Sequence, residues 1–521
     1  MGDMLQIKNL TITHRKDLRV ILENFGVVLN PGDKAVIIGE EGDGKSTLIR
    51  WLSDPNLVES YAECVGERIL GNERIGFLPQ ELSAEDADKT LYEFFGEAEL
   101  FFDKNPAELA KLAAQFHVDR EFFYLEQPMR SLSGGEKIKA QLMRIMIGEP
   151  TALLLDEPSN DIDMATLELL EEIINEWSGI VLFVSHDEVL IERTANMVIH
   201  IEQVMRKTKS RFTVAHMSYR DYIEDRRKRF DNQEREALND RREKKARDER
   251  FMKVMQSVNS ALNNVSRQSP GVGKNLKDKM HSVKAMEKRF EREDEKMTQM
   301  PEQEEAIFFK LGKEESKIPA GKTVIEYELD RLYAPDDSKI LAENIRLFVR
   351  GPQKICIIGD NGVGKTTLLK KLVNALQART DLHVEYMPQN YADLLDPDMT
   401  PVDFLDRTGD KEERTKIRLY LGALKYTTDE MDHAIRELSG GQKAKVFLLK
   451  MSLSNANVLI LDEPTRNFSP LSGPVIRQLI REFPGAVISI SHDRKFIYET
   501  SDIIYRLTPG GLENIEKVET K

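Results

Sequence analysis

Five short motifs occur in the same order twice along this 521-residue chain, so any fold for it must hold two copies of one strand-and-helix module. In the first copy an apolar strand, Ala35 to Gly39, runs into Gly39-Glu40-Glu41-Gly42-Asp43-Gly44-Lys45-Ser46-Thr47 and then into the helical Leu48-Ile49-Arg50-Trp51-Leu52. This matches G-x-x-x-x-G-K-[ST] between a strand and a helix, the context that separates a phosphate loop from a chance glycine run. Gly39, Gly42 and Gly44 let backbone N–H groups curl around an oxyanion at a helix N-terminus. Lys45 is expected to neutralise phosphate, and the Ser46 hydroxyl to ligate Mg2+.

Four further motifs follow. Ile75-Gly76-Phe77-Leu78-Pro79-Gln80 is a strand ending in a Gln that could reach a metal or an attacking water; alone, such a Gln is usually just a polar strand end. Leu132-Ser133-Gly134-Gly135-Glu136 opens a helix with a Ser cap and glycine amides, a second anion site that by itself could be an ordinary capped helix. Ala152 to Pro158 is a fully apolar strand of the buried parallel kind, delivering Asp156 and Glu157 at its C-terminal end. Asp156 is placed to hold Mg2+ and Glu157 to polarise water. Ser185-His186-Asp187 ends another apolar strand, with His186 a candidate sensor of the terminal phosphate; a His there is more often a surface residue, and the set lends it weight.

The second copy reads Gly359-Asp360-Asn361-Gly362-Val363-Gly364-Lys365-Thr366-Thr367, then Pro388-Gln389, Ser439-Gly440-Gly441-Gln442, Asp462-Glu463 and Ser491-His492-Asp493. Spacings agree: Ser133 to Glu157 and Ser439 to Glu463 both span 24 residues, and Glu157 to His186 and Glu463 to His492 both span 29. Two α/β modules are expected, residues 1–218 and 301–521.

Between them, residues 219–300 read as a long helical hairpin. Ile223, Phe230, Ala237, Phe251, Val258 and Val265 fall on one seven-residue repeat broken by Lys244, and Leu276, Val283, Phe290 and Met297 keep the same period. Sparse apolar stripes at heptad spacing, flanked by charge, suit two antiparallel helices sharing a narrow seam. A first arm of about forty residues spans roughly 60 Å, so the hairpin is expected to project from the body. Asn, Ser, Pro270, Gly271 and Gly273 predict a tip near 256–274. From Phe251 to Arg292 there are nine Lys or Arg against three Asp or Glu, in a chain whose net charge is −14. Positive charge gathered in one segment of an acidic protein can meet a polyanion; it also fits a solvated spacer.

Composition bounds the rest. With 40% apolar and 31% charged residues the chain is globular, and no apolar run approaches the roughly twenty residues of a spanning helix. Met1-Gly2-Asp3-Met4 does not start a signal peptide, which predicts a cytoplasmic protein without a membrane partner. Cys64 and Cys356 are too few and too separated for a disulfide or zinc framework.

These residues resemble two nucleotide-binding domains of the ATP-binding-cassette family, with Walker A, Gln loop, LSGG signature, Walker B with its glutamate and switch histidine. Two cassettes in one chain, joined by a charged hairpin, resemble the F subfamily (ABC-F), whose members are ribosome-binding translation factors and antibiotic-resistance proteins. The resemblance implies an ATPase using ATP and Mg2+, in a head-to-tail intramolecular sandwich within a monomer. Lys45, Ser46, Thr47, Asp156, Glu157, Gln80 and His186 would share a site with Ser439, Gly440 and Gly441. Lys365, Thr366, Thr367, Asp462, Glu463, Gln389 and His492 would face Ser133, Gly134 and Gly135. Ser46 with Asp156 and Thr366 with Asp462 would hold Mg2+, and Tyr333 and His14 stand where the family places an adenine-stacking ring.

Departures from the family pattern carry further expectations. After Walker B the first copy, Ser159-Asn160-Asp161-Ile162-Asp163, keeps a final Asp that Thr465-Arg466-Asn467-Phe468-Ser469-Pro470 loses, predicting unequal hydrolysis. The second sequence resembles the resistance branch active against pleuromutilins, lincosamides and streptogramin A. The implied function is ribosome protection: docking in the ribosomal exit site, contact with large-subunit rRNA and P-site tRNA, approach of the tip to the peptidyl-transferase centre, and release on hydrolysis. Arg267 and Lys274 are candidate RNA contacts, and Val265 and Val272 candidate apolar probes. Only 29 residues follow His492, and no large arm is expected in the first cassette, leaving the hairpin as effector. A housekeeping factor for stalled ribosomes is the alternative; a transporter ATPase fits less well, and a DNA-repair ATPase lacks the longer coil or zinc cysteines.

Overall fold

In a computed structural model, the structure describes residues 4–160, 162–204, 209–263, 270–294, 297, 298, 300, 311, 312 and 314–515. The chain divides into two compact units, Met1–Tyr219 with Glu304–Lys521, and Arg220–Gln303.

The larger unit holds two six-stranded sheets with the same order. In the first, Ile75–Leu78, Ala152–Asp156, Ile180–Val184, Lys34–Ile38 and Met197–Val204 run parallel, and Lys209–Ala215 pairs antiparallel at the edge. In the second, Val384–Met387, Val458–Asp462, Ala486–Ile490, Lys354–Ile358 and Ile503–Thr508 repeat that order, with Gly511–Ile515 antiparallel. Ala152–Asp156, Ile180–Val184, Val458–Asp462 and Ala486–Ile490 are buried along their whole length, as strands covered on both faces must be. Cys356 lies at the buried centre of Lys354–Ile358, its thiol pushed up to about 12 by burial. The phosphate loops, the Gln residues, the carboxylate pairs and the His motifs follow the C-terminal ends of strands, where open α/β sheets bind ligands, whereas each Ser-Gly-Gly motif opens a helix.

Ion pairs join the two cassettes within this unit. On the helix Gly473–Glu482, Arg477 donates to Glu188 at 2.6 and 3.3 Å and to Glu499 at 2.7 Å. Arg494 pairs with Glu171 and, at 3.2 Å, with Asp187; Lys495 donates to Glu188 at 3.1 Å and Glu192 at 2.6 Å. Acids of the first cassette thus meet bases of the second.

The smaller unit is built on two helices, Tyr219–Asn263 of 45 residues and Pro270–Asp294 of 25. Helix therefore occupies most of the segment expected as tip. The second helix starts on Pro270, where a missing N–H costs nothing. Val265 and Arg267 lie outside the described residues, as does the side chain of Val272; Lys274 is exposed on the second helix. In the seam, Ala237 and Val283 are buried, and Phe251 meets Phe290 edge-on at 5.7 Å. Lys244, the break in the heptad, pairs with Asp294 at 2.7 Å, and Arg247 lies 4.5 Å over the Phe290 ring. Ion pairing stands where apolar contact would continue the stripe.

Candidate functional site

Each phosphate loop ends on a glycine with positive φ, Gly44 at 86° and Gly364 at 100°, capping the helices Lys45–Ser53 and Lys365–Gln377. A Cβ at Gly44 would come within 2.3 Å of Ile21, so the turn excludes larger residues twice over. Lys45 folds back to donate to the Gly39 and Glu40 carbonyls at 3.0 and 2.8 Å, and Lys365 does the same to Gly359 and Asp360 at 2.7 and 2.9 Å. Both ammonium groups are buried against the loop where phosphate is expected.

Ser46 Oγ donates to Asp156 Oδ1 at 2.7 Å, while Asp156 Oδ2 is buried without a hydrogen-bond partner among the described residues, Arg50 Nε standing 3.5 Å away. Thr366 bonds Asp462, whose Oδ2 is orphaned in the same way. Burial raises both carboxyls above their usual range. A hydroxyl, a carboxylate and an unsatisfied oxygen at a phosphate loop form a hard-donor set that fits Mg2+.

The next residue adopts the left-handed region in both copies, Glu157 at φ 52° and Glu463 at φ 53°, a conformation that costs a non-glycine residue energy and recurs at functional sites. Their surroundings then diverge. Glu157 accepts from His186 Nε2 at 3.1 Å, from Gln80 Nε2 at 3.3 Å and from Asn160 Nδ2. Burial alone would raise its pKa, but His186 and Lys45 outweigh that and hold it down at about 2. His186 Nδ1 also lies 2.7 Å from the Phe468 carbonyl of the other cassette; a carbonyl only accepts, so the ring must donate from Nδ1. Glu463 accepts the His492 N–H at 3.2 Å, its Oε1 has no hydrogen-bond partner among the described residues and lies 3.6 Å from His492 Nε2, and burial with Asp462 nearby pushes it up to about 8. His492 is held down at about 4 by burial and Lys365.

Residues of both cassettes meet at two junctions. A cavity of about 640 Å³ brings Asn361, Gly362, Gly364, Lys365, Thr366, Thr367, Gln389, Asp462, Glu463 and His492 together with Ser133, Gly134 and Asp163 of the first cassette. At the other junction, Ser439 and Gly441 share a cavity of about 20 Å³ with Glu40 and Glu41, and the Gly440 N–H donates to Glu41 Oε1 at 3.0 Å; Lys45, Ser46, Asp156 and Glu157 do not line that cavity. Both signature serines cap their helices through a capping box, Ser133 with Glu136 and Ser439 with Gln442. Asp163 caps Met164–Glu176 by accepting from Thr166 at 2.8 Å, whereas Gly473–Glu482 begins without a side-chain cap, the local result of the lost Asp.

Other candidates lie apart. Tyr333 is 39% exposed at the end of its strand, and Ala334 and Pro335, not Tyr333, line the larger cavity. His14 ends Leu5–His14, paired with Asp17 at 2.8 Å. Asn160, Phe468 and Glu41 also touch the site residues although no motif marks them; Glu41 stands where the second loop has the uncharged Asn361.

A buried hydroxyl–carboxylate pair at a phosphate loop, followed by a strained glutamate and faced by a capped helix from another cassette, defines a phosphate-loop ATPase with paired sites. The family described as ABC transporter matches residues 22–160 and 342–466. The chain belongs to this ATP-binding-cassette family and is an ATPase. It is similar to the ribosome protection protein VmlR of Bacillus subtilis, 26% identical over 98% of this chain and 88% of that one. Similarity extends to the ATP-binding protein Uup of Escherichia coli (28%; 94% and 78%) and to ATP-binding cassette sub-family F member 3 of the mouse (26%; 96% and 70%). Within the family it is an ABC-F protein. Among solved structures, one titled RNase-L Inhibitor has the same fold, with TM-score 0.56 at 18% identity over 97% of this chain and 90% of that one. Among the described residues no helix is long and apolar enough to cross a membrane.

Proposed function

We propose that this ATPase is a cytoplasmic ribosome-binding factor that protects the peptidyl-transferase centre and exit tunnel from antibiotics, docking in its ATP-bound state and leaving after hydrolysis. The observation that carries the reading is the lining of the larger cavity by both cassettes: a ligand touching a phosphate loop of one cassette and the capped helix of the other favours their association, so ATP acts as a population-shift ligand. The basic hairpin supplies groups for RNA phosphates, Lys274 among them. The name of the relative VmlR, aligned over nearly the whole chain, supports ribosome protection as the role.

In this account Lys45 and Lys365 bind phosphate, and Ser46 with Asp156 and Thr366 with Asp462 would hold Mg2+, which supplies charge neutralisation to the phosphates. Glu157 and Glu463 orient and polarise the attacking water; Gln80 and Gln389 flank it. His186, tied to Phe468 across the junction, registers whether the cassettes are together. Expression in a susceptible host should raise the inhibitory concentration of a pleuromutilin, a lincosamide or streptogramin A, and the Glu157→Gln, Glu463→Gln variant should not. Unchanged susceptibility to all three, with a drug-free growth defect on deletion, would replace protection by a housekeeping role.

A further inference from the structure

The first nucleotide site already contains an anion, supplied by its own phosphate loop. Gly440 and Gly441 open the 14-residue helix Gly440–Leu453, whose capping box occupies the Ser439 and Gln442 amides. The next two amides, which no internal partner can satisfy, both donate to Glu41: Gly440 N–H to Oε1 at 3.0 Å and Gly441 N–H to Oε2. A Cβ at residue 441 would stand 2.9 Å from Glu41 Oε2 and 2.7 Å from the Asn467 carbonyl, so the approach depends on glycine. Beside it, Glu40 pairs with Lys445 at 3.3 Å, fixing the loop to the same helix. The second phosphate loop has the uncharged Asn361 at the corresponding position, and its junction retains the larger cavity.

We propose that Glu41 is a built-in surrogate for the terminal phosphate at the first site, so that ATP, but not ADP, must expel it before that site can close on nucleotide. The proposal rests on the assignment of Lys45 and Ser439-Gly440-Gly441 to one site. A carboxylate and a γ-phosphate cannot hold the same pair of amides, and their like charges repel; a nucleotide ending at the β-phosphate does not reach them. The second site, without this carboxylate, loads first, and the first site is held together by protein contacts until ATP displaces Glu41. Glu41 is a positioning residue that sets the order of loading and the preference between triphosphate and diphosphate.

The test uses the full chain with Lys365→Ala to silence the second site, and titrates ATP and ADP separately by calorimetry in the parent, Glu41→Gln and Glu41→Asn. Both substitutions should tighten ATP by about tenfold or more, the worth of one hydrogen bond to a charged group, while leaving ADP within about twofold. Unchanged ATP affinity, or equal tightening of ATP and ADP, overturns the proposal. Lys45→Ala in the same background separates the two claims. Loss of binding there upholds the site assignment whatever Glu41 does, and retained binding removes the assignment and the proposal with it.

Discussion

Replacing Arg477 by methionine should be felt in the cassette that does not contain it. The guanidinium is 4% exposed, grips the Glu188 carboxylate with two bonds and Glu499 with a third, and so ties the helix Gly473–Glu482 to the start of Glu188–Thr194. Methionine keeps much of the length and removes the charge. Breaking a buried pair by deleting one partner costs about 3–5 kcal/mol, because the remaining charge stays buried. Lys495, 3.1 Å from Glu188, softens that here, which places the loss near about 3 kcal/mol. Both tryptophans, Trp51 and Trp177, belong to the first cassette, so selectively excited tryptophan fluorescence reports on it alone. With an m-value of about 3 kcal/mol/M, the urea midpoint seen by fluorescence should fall by about 1 M. Glu188→Gln should fall less, and the double variant should show a coupling of about 1–3 kcal/mol. An Arg477→Met transition that overlays the parent in fluorescence would refute the idea that this pair joins the cassettes.

Two further outcomes follow from the same junction. Asp493 caps Arg494–Thr500, and its carboxyl is pushed up to about 6 by burial and by Asp187 across the interface. A carboxyl that binds its proton more tightly folded than unfolded destabilises the fold above pH 6 and not below about pH 4, by up to about 3 kcal/mol. Asp493→Asn, which keeps the cap acceptor, should therefore raise the melting temperature at pH 7.5 and leave it unchanged near pH 4; a gain that persists at pH 4 would place the effect elsewhere. Asp163 lines the larger cavity and caps its own helix, so Asp163→Ala in a Glu157→Gln background should lower second-site turnover about tenfold and cost about 1 kcal/mol of stability. Equal turnover with and without Asp163 would remove that residue from the second site.

Much of this arrangement was legible in the chain because its chemistry is local. A phosphate loop needs its glycines, lysine and hydroxyl within nine residues, and a buried strand announces the carboxylates at its end through an apolar run. Repetition then turned weak signals, such as Gln80 or His186, into members of a set. What stayed hidden depends on residues far apart in sequence. Glu41 meets Gly440 across 399 positions, and Glu188 meets Arg477 across 289, with no periodicity to mark either pair. Lys244 looked like a fault in the heptad because its partner Asp294 lies on the other arm. The segment read as tip is largely helical because Asn and Ser tolerate a helix and Pro270 initiates one. The opposite pKa shifts of Glu157 and Glu463 arise from neighbours that identical motifs do not specify: among the described residues the first carboxylate has His186, Gln80 and Asn160 as donors, the second the His492 N–H.

Co-sedimentation of the Glu157→Gln, Glu463→Gln protein with ribosomes, with and without ATP and across a salt series, bears most directly on the proposed function. The account predicts pelleting only with ATP, and binding that falls steeply as salt rises, as contacts to RNA phosphates require. Failure to pellet under any condition, or equal pelleting without ATP, would contradict it.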